Sequence, residues 1–313
     1  MNLPEGYAAR PAVPDDLDAV AALLDAWDLA YFSDANANRE GIQYEWGSPW
    51  VDLVRDVRVI LASDGALVAY VAHATPDPTA RHEVDVFVHP AHQGRGLGTA
   101  LLRWAEDKTR SQLASGAGIP LWNSTGAPDV SGLQLLETNG FQHIRTFWQM
   151  LIDLDGTFDA GEGPDGVTIR PHEPGADDRG AHETLDQAFS THFGYFQESF
   201  EQWWEHQYAD ESFDPRLGFV AEADGQVVGA SINGVIDGIG WVYELGVRQA
   251  WQGRGIGRAL LRHTFAMFAA NGVRAGRLGV DTENATGALE LYRSVGMRPV
   301  REWRVFEKYL EAD

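Results

Sequence analysis

His92-Gln93-Gly94-Arg95-Gly96-Leu97-Gly98, followed by Thr99-Ala100-Leu101-Leu102-Arg103, is echoed late in the chain by Trp251-Gln252-Gly253-Arg254-Gly255-Ile256-Gly257, followed by Arg258-Ala259-Leu260-Leu261-Arg262. Each copy follows a strand-like run and opens a helix-like one. Glycines at alternate positions let successive backbone N–H groups point into one concavity without Cβ obstruction. The helix that follows adds its free N-terminal amides and the positive end of its dipole. Such a turn suits a diphosphate. Neither copy ends in Gly-Lys-Ser/Thr, and Thr99 and Arg258 stand where a dinucleotide fingerprint has its third glycine.

Other landmarks repeat in the same order. The glycine motifs lie about 160 positions apart, as do Asp64-Gly65 and Asp224-Gly225, each between β-rich runs. Asn139-Gly140-Phe141 and Val295-Gly296-Met297 form a third pair. A period this long means whole domains rather than solenoid repeats. The Gly- and Asp-rich stretch 155–166 has no periodicity and reads as a linker. The expected units are therefore residues 1–154 and 167–313. Each reads as an opening strand (7–10; 167–170), acidic helical segments (15–30 and 40–56; 176–190 and 197–208) and two strands about the Asp-Gly turn. A strand into the glycine motif (83–88; 240–247) and an amphipathic helix follow. A further strand, a short helix (129–138; 285–294) and closing strands (141–154; 298–310) complete each unit. That order predicts a mixed α/β fold with a largely antiparallel sheet and one helical crossover.

The 313 residues suffice for two cores, and the net charge is −22. Such acidity disfavours nucleic acid, which needs clustered Lys and Arg, and is compatible with a cationic small molecule. With no cysteine there are no disulfides, thiolate metal sites or cysteine nucleophiles. No signal peptide or membrane-length apolar run is visible, so a cytoplasmic protein without membrane partners is expected. His192 and His206 have no clean ligand spacing, and no metal is expected.

Gln-x-x-Gly-x-Gly between a strand and an amphipathic helix, filled by Gln93/Gly96/Gly98 and Gln252/Gly255/Gly257, resembles the acetyl-CoA motif of the GCN5-related N-acetyltransferase (GNAT) superfamily. The resemblance covers both halves. Asp281-Thr282-Glu283-Asn284-Ala285-Thr286-Gly287-Ala288-Leu289-Glu290-Leu291-Tyr292 looks especially like the tandem, mycothiol-synthase type of that superfamily. The resemblance implies two tandem acyl-CoA N-acyltransferase domains, each a mixed sheet splayed between two central strands, with acetyl-CoA as co-substrate in the gap. It implies that Tyr292 protonates the departing thiolate and that Asn284 contacts the cofactor. In the first half Leu136 and Pro128 stand at those places. The second half is thus expected to be catalytic and the first degenerate.

Glu244, on the strand before the second glycine turn, is the candidate base, directly or through water; Asp85 is its counterpart. A structural ion pair is the alternative for Glu244. By strand alternation Glu244 and Gly246 share one face, and Tyr243, Leu245 and Val247 the other. A bulge is expected to free a backbone amide within Leu245-Gly246-Val247 to polarise the thioester carbonyl. The remaining expected cofactor contacts are Gln252, Gly253, Arg254, Gly255, Ile256, Gly257 and Arg258. In the first half they are Val86, Phe87, Val88, Gln93, Gly94, Arg95, Gly96, Leu97 and Gly98. Acceptor specificity is expected from the aromatic and acidic stretch 192–206, with Tyr195, Glu198, Trp203 and Trp204 as candidates. Trp27, Trp46 and Trp50 would form a corresponding, retired pocket in the first half. The expected activity is acetyl-CoA-dependent acetylation of a small, cationic primary amine by direct attack: an amino sugar, an aminoglycoside-like antibiotic or an amino-acid conjugate. Acetylation of a cysteinyl amine and a non-catalytic acyl-CoA-binding module are the alternatives. A monomer is expected, the tandem pair replacing a homodimer.

Overall fold

The computed structural model describes residues 1–35, 39–156, 158–209, 214–284 and 286–312; the side chains of residues 40, 206, 208 and 209 lie outside the description. The chain forms two compact units, one of Met1–Thr146 with Arg301–Asp313, the other of Phe147–Val300. Both carry the same succession of elements, apart from a short extra helix, α3, in the first. The first runs β1 (Tyr7–Pro11), α1 (Leu17–Tyr31), α2 (Arg39–Gly47), α3 (Leu53–Asp56), β2 (Val57–Ala62), β3 (Leu67–Asp77), β4 (Arg81–Val88), α4 (Leu97–Gln112), β5 (Gly118–Gly126) and α5 (Val130–Thr138). Then come β6 (Gln142–Asp153), β7 (Thr168–Pro171), α6 (Asp178–Phe189), α7 (Phe200–Ala209), β8 (Phe219–Ala223), β9 (Gln226–Ile236), β10 (Ile239–Val247), α8 (Ile256–Ala270), β11 (Ala275–Asp281), α9 (Ala288–Ser294) and β12 (Arg298–Glu311). The expected single helix over 40–56 is broken into α2 and α3 around Ser48-Pro49, where proline disfavours helix for the residue before it.

Within the first unit the strand order is β1-β2-β3-β4-β5-β12, and within the second β7-β8-β9-β10-β11-β6. Neighbours are antiparallel, except that β4 runs parallel to β5 and β10 to β11. The parallel pairs follow from the helical crossovers α4 and α8. Each crossover helix buries one stripe at helical spacing: Leu97, Leu101 and Ala105 in α4; Ile256, Leu260 and Phe268 in α8.

The closing strands are exchanged relative to the sequential division at residues 154 and 167. Trp303 pairs with Gly126 and Glu311 with Gly118, so β12 closes the first sheet. Phe147 pairs with Asp281 and Asp153 with Ala275, so β6 closes the second. The side chains follow: Phe306 sits in the first core with Leu101 and Leu121, and Met150 in the second with Phe265 and Leu278. Each unit buries a closing strand drawn from the other half of the sequence.

One buried ion pair fixes β12 in the first unit. Arg301, 4% exposed, donates from Nη1 to Asp28 Oδ1 at 2.7 Å and from Nη2 to Asp34 Oδ1 at 2.9 Å. Removing one partner of a buried pair leaves its counter-charge desolvated. Arg301→Ala is expected to destabilise the protein by about 3–5 kcal/mol, read as a lower denaturation midpoint; an unchanged midpoint refutes the anchoring role.

Candidate functional site

In the second unit, β10 stays with β11 only at Gly240 with Gly276 and Trp241 with Arg277. Beyond that the strands part. Arg248 donates its amide to Val228 O on β9 at 2.9 Å. Alternation along the strand therefore turns the amides of Leu245 and Val247 toward the gap. The expected donor segment thus presents two amides to it. The chain then makes the glycine turn. Gly253 and Gly255 take φ of +75° and +84°, the left-handed region where a Cβ would be strained. The first intrahelical bond runs from Ala259 N to Gly255 O, so the amides of Ile256, Gly257 and Arg258 have no acceptor within α8.

These elements enclose a cleft of about 910 Å³. Tyr292, from α9, reaches it, as does Asn284 from the loop before that helix. Of the expected cofactor residues in this half, all but Arg254 line it. Arg254 instead stacks 4.5 Å over Trp251 and donates to Ala250 O. Gln252 turns its amide onto Val247 O at 3.1 Å, tying the turn to the end of β10. Tyr292 is 8% exposed, and burial raises its phenol to about 12, so it is a protonated donor at neutral pH. Asn284 uses Oδ1 to accept from Thr286 N and Oγ1, while its Nδ2 lies 3.5 Å from His192 Nε2. Burial lowers the His192 pKa, leaving a neutral imidazole on the cleft wall.

The strand carries a bulge just before Glu244. Val242 pairs with Asn233 and Glu244 with Ile232, leaving Tyr243 as the extra residue. Strict alternation therefore fails here. Tyr243 packs with Ala181, Leu185 and Trp203, on the side where Gln207 of α7 donates to Glu244 Oε1 at 3.3 Å, so Tyr243 and Glu244 share the α6/α7 face. Val242 and Leu245 pack in the core that holds Tyr292. Glu244 and Tyr292 thus stand on opposite faces of β10. Burial, with the nearby Glu198 charge adding to it, raises Glu244 to about 7.

Of the expected acceptor residues, only Tyr195 lines the cleft, its hydroxyl bonded to Asp186 Oδ1. Trp203 is buried in the core between α6, α7 and β9. Trp204 is 40% exposed and donates to Asp178 Oδ2 at 3.3 Å. Glu198 lies outside the cleft and acts on Glu244 through its charge. The wall is built instead from Phe147, Phe189, His192 and Phe193, with Asp281 and Glu290 as its carboxylates. His192 and Phe193 belong to the aromatic stretch 192–206, whereas Phe189 precedes it and Phe147 arrives on the exchanged strand.

The first unit has a smaller cleft, of about 420 Å³. Val86, Val88, Gln93, Gly94, Gly96, Leu97 and Gly98 line it. Phe87 and Arg95 do not. Phe87 packs edge-on against Trp27, and Arg95 donates to Tyr7 Oη and Ala91 O, both at 3.0 Å. The register of β3 with β4 is regular through Asp85, so no bulge corresponds to Tyr243. Burial and the Glu83 charge raise Asp85. Trp46 is a core residue that donates to Tyr70 Oη at 2.9 Å. Among the described residues, no group of three His, Cys, Asp or Glu side chains could hold a metal, and no helix is long and apolar enough to cross a membrane.

The sequence pattern of the Acetyltransferase (GNAT) family matches residues 20–141 and 182–297. The chain belongs to that family and is an acetyltransferase built from two tandem domains of it. It is 32% identical over 291 residues to a mycothiol acetyltransferase of Streptomyces avermitilis, covering 90% of this chain and 88% of that one. A GCN5-related N-acetyltransferase from Sphaerobacter thermophilus superposes with a TM-score of 0.86 at 32% identity, covering 99% and 98% of the two chains. A tandem GNAT protein from the clavulanic acid biosynthesis pathway shares the fold, with a TM-score of 0.73 at 16% identity and coverage of 97% and 98%.

Proposed function

We propose that the second unit transfers an acetyl group from acetyl-CoA to the primary amine of a small acceptor by direct attack. The observation that carries this reading is the convergence, in one cleft, of the unpaired Leu245 and Val247 amides, the glycine turn and the buried Tyr292. Acetyl-CoA supplies the acyl group already activated as a thioester. The amides of Ile256, Gly257 and Arg258 hold its diphosphate, with Arg258 adding positive charge. The Leu245 and Val247 amides donate to the pantetheine arm and to the thioester oxygen as negative charge builds there, a contribution of about 3 kcal/mol to the barrier for one well-placed donor.

Glu244 takes the first proton from the acceptor ammonium, through water, since its carboxylate lies off the cleft wall. The freed amine nitrogen bonds to the carbonyl carbon and the C–S bond breaks. The second proton leaves the nitrogen and reaches sulfur, with Tyr292 donating to the departing thiolate. A phenol at about 12 is a weaker acid than a thiol near 8.5, so its part is a hydrogen bond that steadies the sulfur while the net proton comes from the amine. The products are the amide, free CoA thiol and one proton released from Glu244.

The acceptor binds against the aromatic wall, with Asp281 and Glu290 favouring a cationic group. The likeness to a mycothiol acetyltransferase favours a second acceptor reading, the cysteinyl amine of a mycothiol precursor. Acetylated product identified by mass spectrometry across an amine panel containing cysteinyl conjugates and amino sugars separates the two.

Tyr292→Phe is expected to keep CoA affinity and lower kcat by about 10²-fold; unchanged turnover removes Tyr292 from the chemistry. The Glu244 base works only as the carboxylate, and its pKa is raised, so activity should fall as pH drops through about 7 and level off one to two units above. Glu244→Gln is expected to lower the rate and abolish that limb in a pH–rate profile; a limb that survives assigns the titration elsewhere. Asp85→Ala should leave turnover within about twofold, since exchange at a site without the reacting groups does not touch the barrier. A severe loss in a folded Asp85→Ala protein overturns the assignment of chemistry to the second unit.

A further inference from the structure

The two units keep the same glycine turn but differ along the slot that an acyl-pantetheine arm must enter. In the second unit the strands part after Trp241 and its partner Arg277, and the next β11 residue, Leu278, lines the cleft. In the first unit the pairing runs one residue further, through Val84 with Asn123. Asn123, one residue past the Glu83–Trp122 pair, therefore stands where the other unit has Leu278, one residue past Trp241 with Arg277. The Asn123 side chain is buried and donates from Nδ2 to Val84 O at 2.6 Å, stitching the apex of the splay shut.

The acceptor side is filled as well. Val20 and Ala181 are matching, fully buried residues of α1 and α6. Seven residues on, the second unit has Ala188 on its cleft wall and the first has Trp27. The Trp27 indole is 3% exposed. It stacks on Trp303 at 5.5 Å and donates Nε1 to Asp129 Oδ2 at 3.2 Å. Asp129 in turn caps α5 through the Gly132 amide at 2.9 Å. Trp27 therefore crosses the gap and is held on both banks. Over the glycine turn, Gln93 Oε1 accepts from Tyr31 Oη and Ser131 Oγ, both at 2.8 Å, whereas Gln252 lies back on its own strand. Leu136 replaces the tyrosine.

We propose that the first unit's cleft is closed to acyl-CoA by its own Trp27, Asn123 and Gln93 contacts, so that each chain takes up a single acyl-CoA, in the second unit. The preserved glycine turn there caps α4 and sustains the fold without a ligand. The assignment rests on the proposed function only for the second site.

Calorimetric titration of the full-length protein with CoA tests it. The wild type should bind one CoA per chain. Gly257→Asp, which sets a carboxylate in the first turn of α8, should bind none. Trp27→Ala combined with Asn123→Gly should raise the stoichiometry to two. Two equivalents on the wild type, or one retained by a folded Gly257→Asp protein, overturns the closure while leaving the proposed function standing. A stoichiometry of one in a folded Trp27→Ala/Asn123→Gly protein refutes the identity of the plug. If that double variant does not fold, Gly257→Asp decides alone. No binding by the wild type overturns the proposed function itself, and the single-site assignment with it.

Discussion

Two adjacent parallel strands that stop pairing partway leave a row of backbone amides and carbonyls with nothing to bond. In the second unit that happens after Trp241, and the rest of the site is arranged around the consequence. Unpaired main-chain groups inside a fold carry a desolvation penalty of about 1–3 kcal/mol each unless water or a ligand meets them. An extended arm carrying amides of its own is a complementary partner. The glycine turn at the end of β10 then places further free amides where a diphosphate attached to that arm would lie. The cleft thus offers main-chain donors at two places, the Leu245 and Val247 amides on the strand and those of Ile256, Gly257 and Arg258 at the helix N-terminus.

The same constraint explains why a one-residue difference matters. The extra residue Tyr243 turns the strand locally and puts two consecutive side chains on the α6/α7 face. Glu244 is thereby packed against α7, where Gln207 meets it, and burial raises its pKa toward neutrality. Tyr292 remains on the other side of β10. The proposed base and the proposed partner of the thiolate thus stand on opposite faces of one strand. In the first unit the strand is regular at the matching place, and the gap is filled by an asparagine, a tryptophan and the hydrogen bonds over Gln93. Both units satisfy the same main-chain demand, one by leaving room for a guest and the other with its own side chains.

Much of this was legible in the residues. The paired glycine turns, the Asp-Gly turns and the Gly140/Gly296 landmarks disclose two copies of one mixed α/β unit, because each depends on a local backbone conformation that few residues adopt. The replacement of Tyr292 and Asn284 by Leu136 and Pro128 marks the first half as chemically different. The aromatic stretch 192–206 signals a wall beside the site, but Phe189, His192 and Phe193 line the cleft and Trp203 and Trp204 do not. On a helix, neighbours in sequence point in different directions, and which direction faces the cleft depends on packing against β9.

What the sequence determined alone was therefore local: turns that need glycine, helices with one apolar stripe, and side chains able or unable to give up a proton. The tertiary structure decided which closing strand completes which sheet. Phe306 and Leu310 in one core, Met150 and Ile152 in the other, and the Arg301 contacts with Asp28 and Asp34 hold the exchange of β6 and β12. It also decided the bulge at Tyr243, since a single extra residue is defined only against the strand it pairs with. Trp27 reads as a pocket aromatic in isolation and becomes a plug because Asp129, about a hundred residues away in sequence, holds its indole across the gap. Each of these outcomes rests on contacts between distant segments, whose geometry no local pattern encodes.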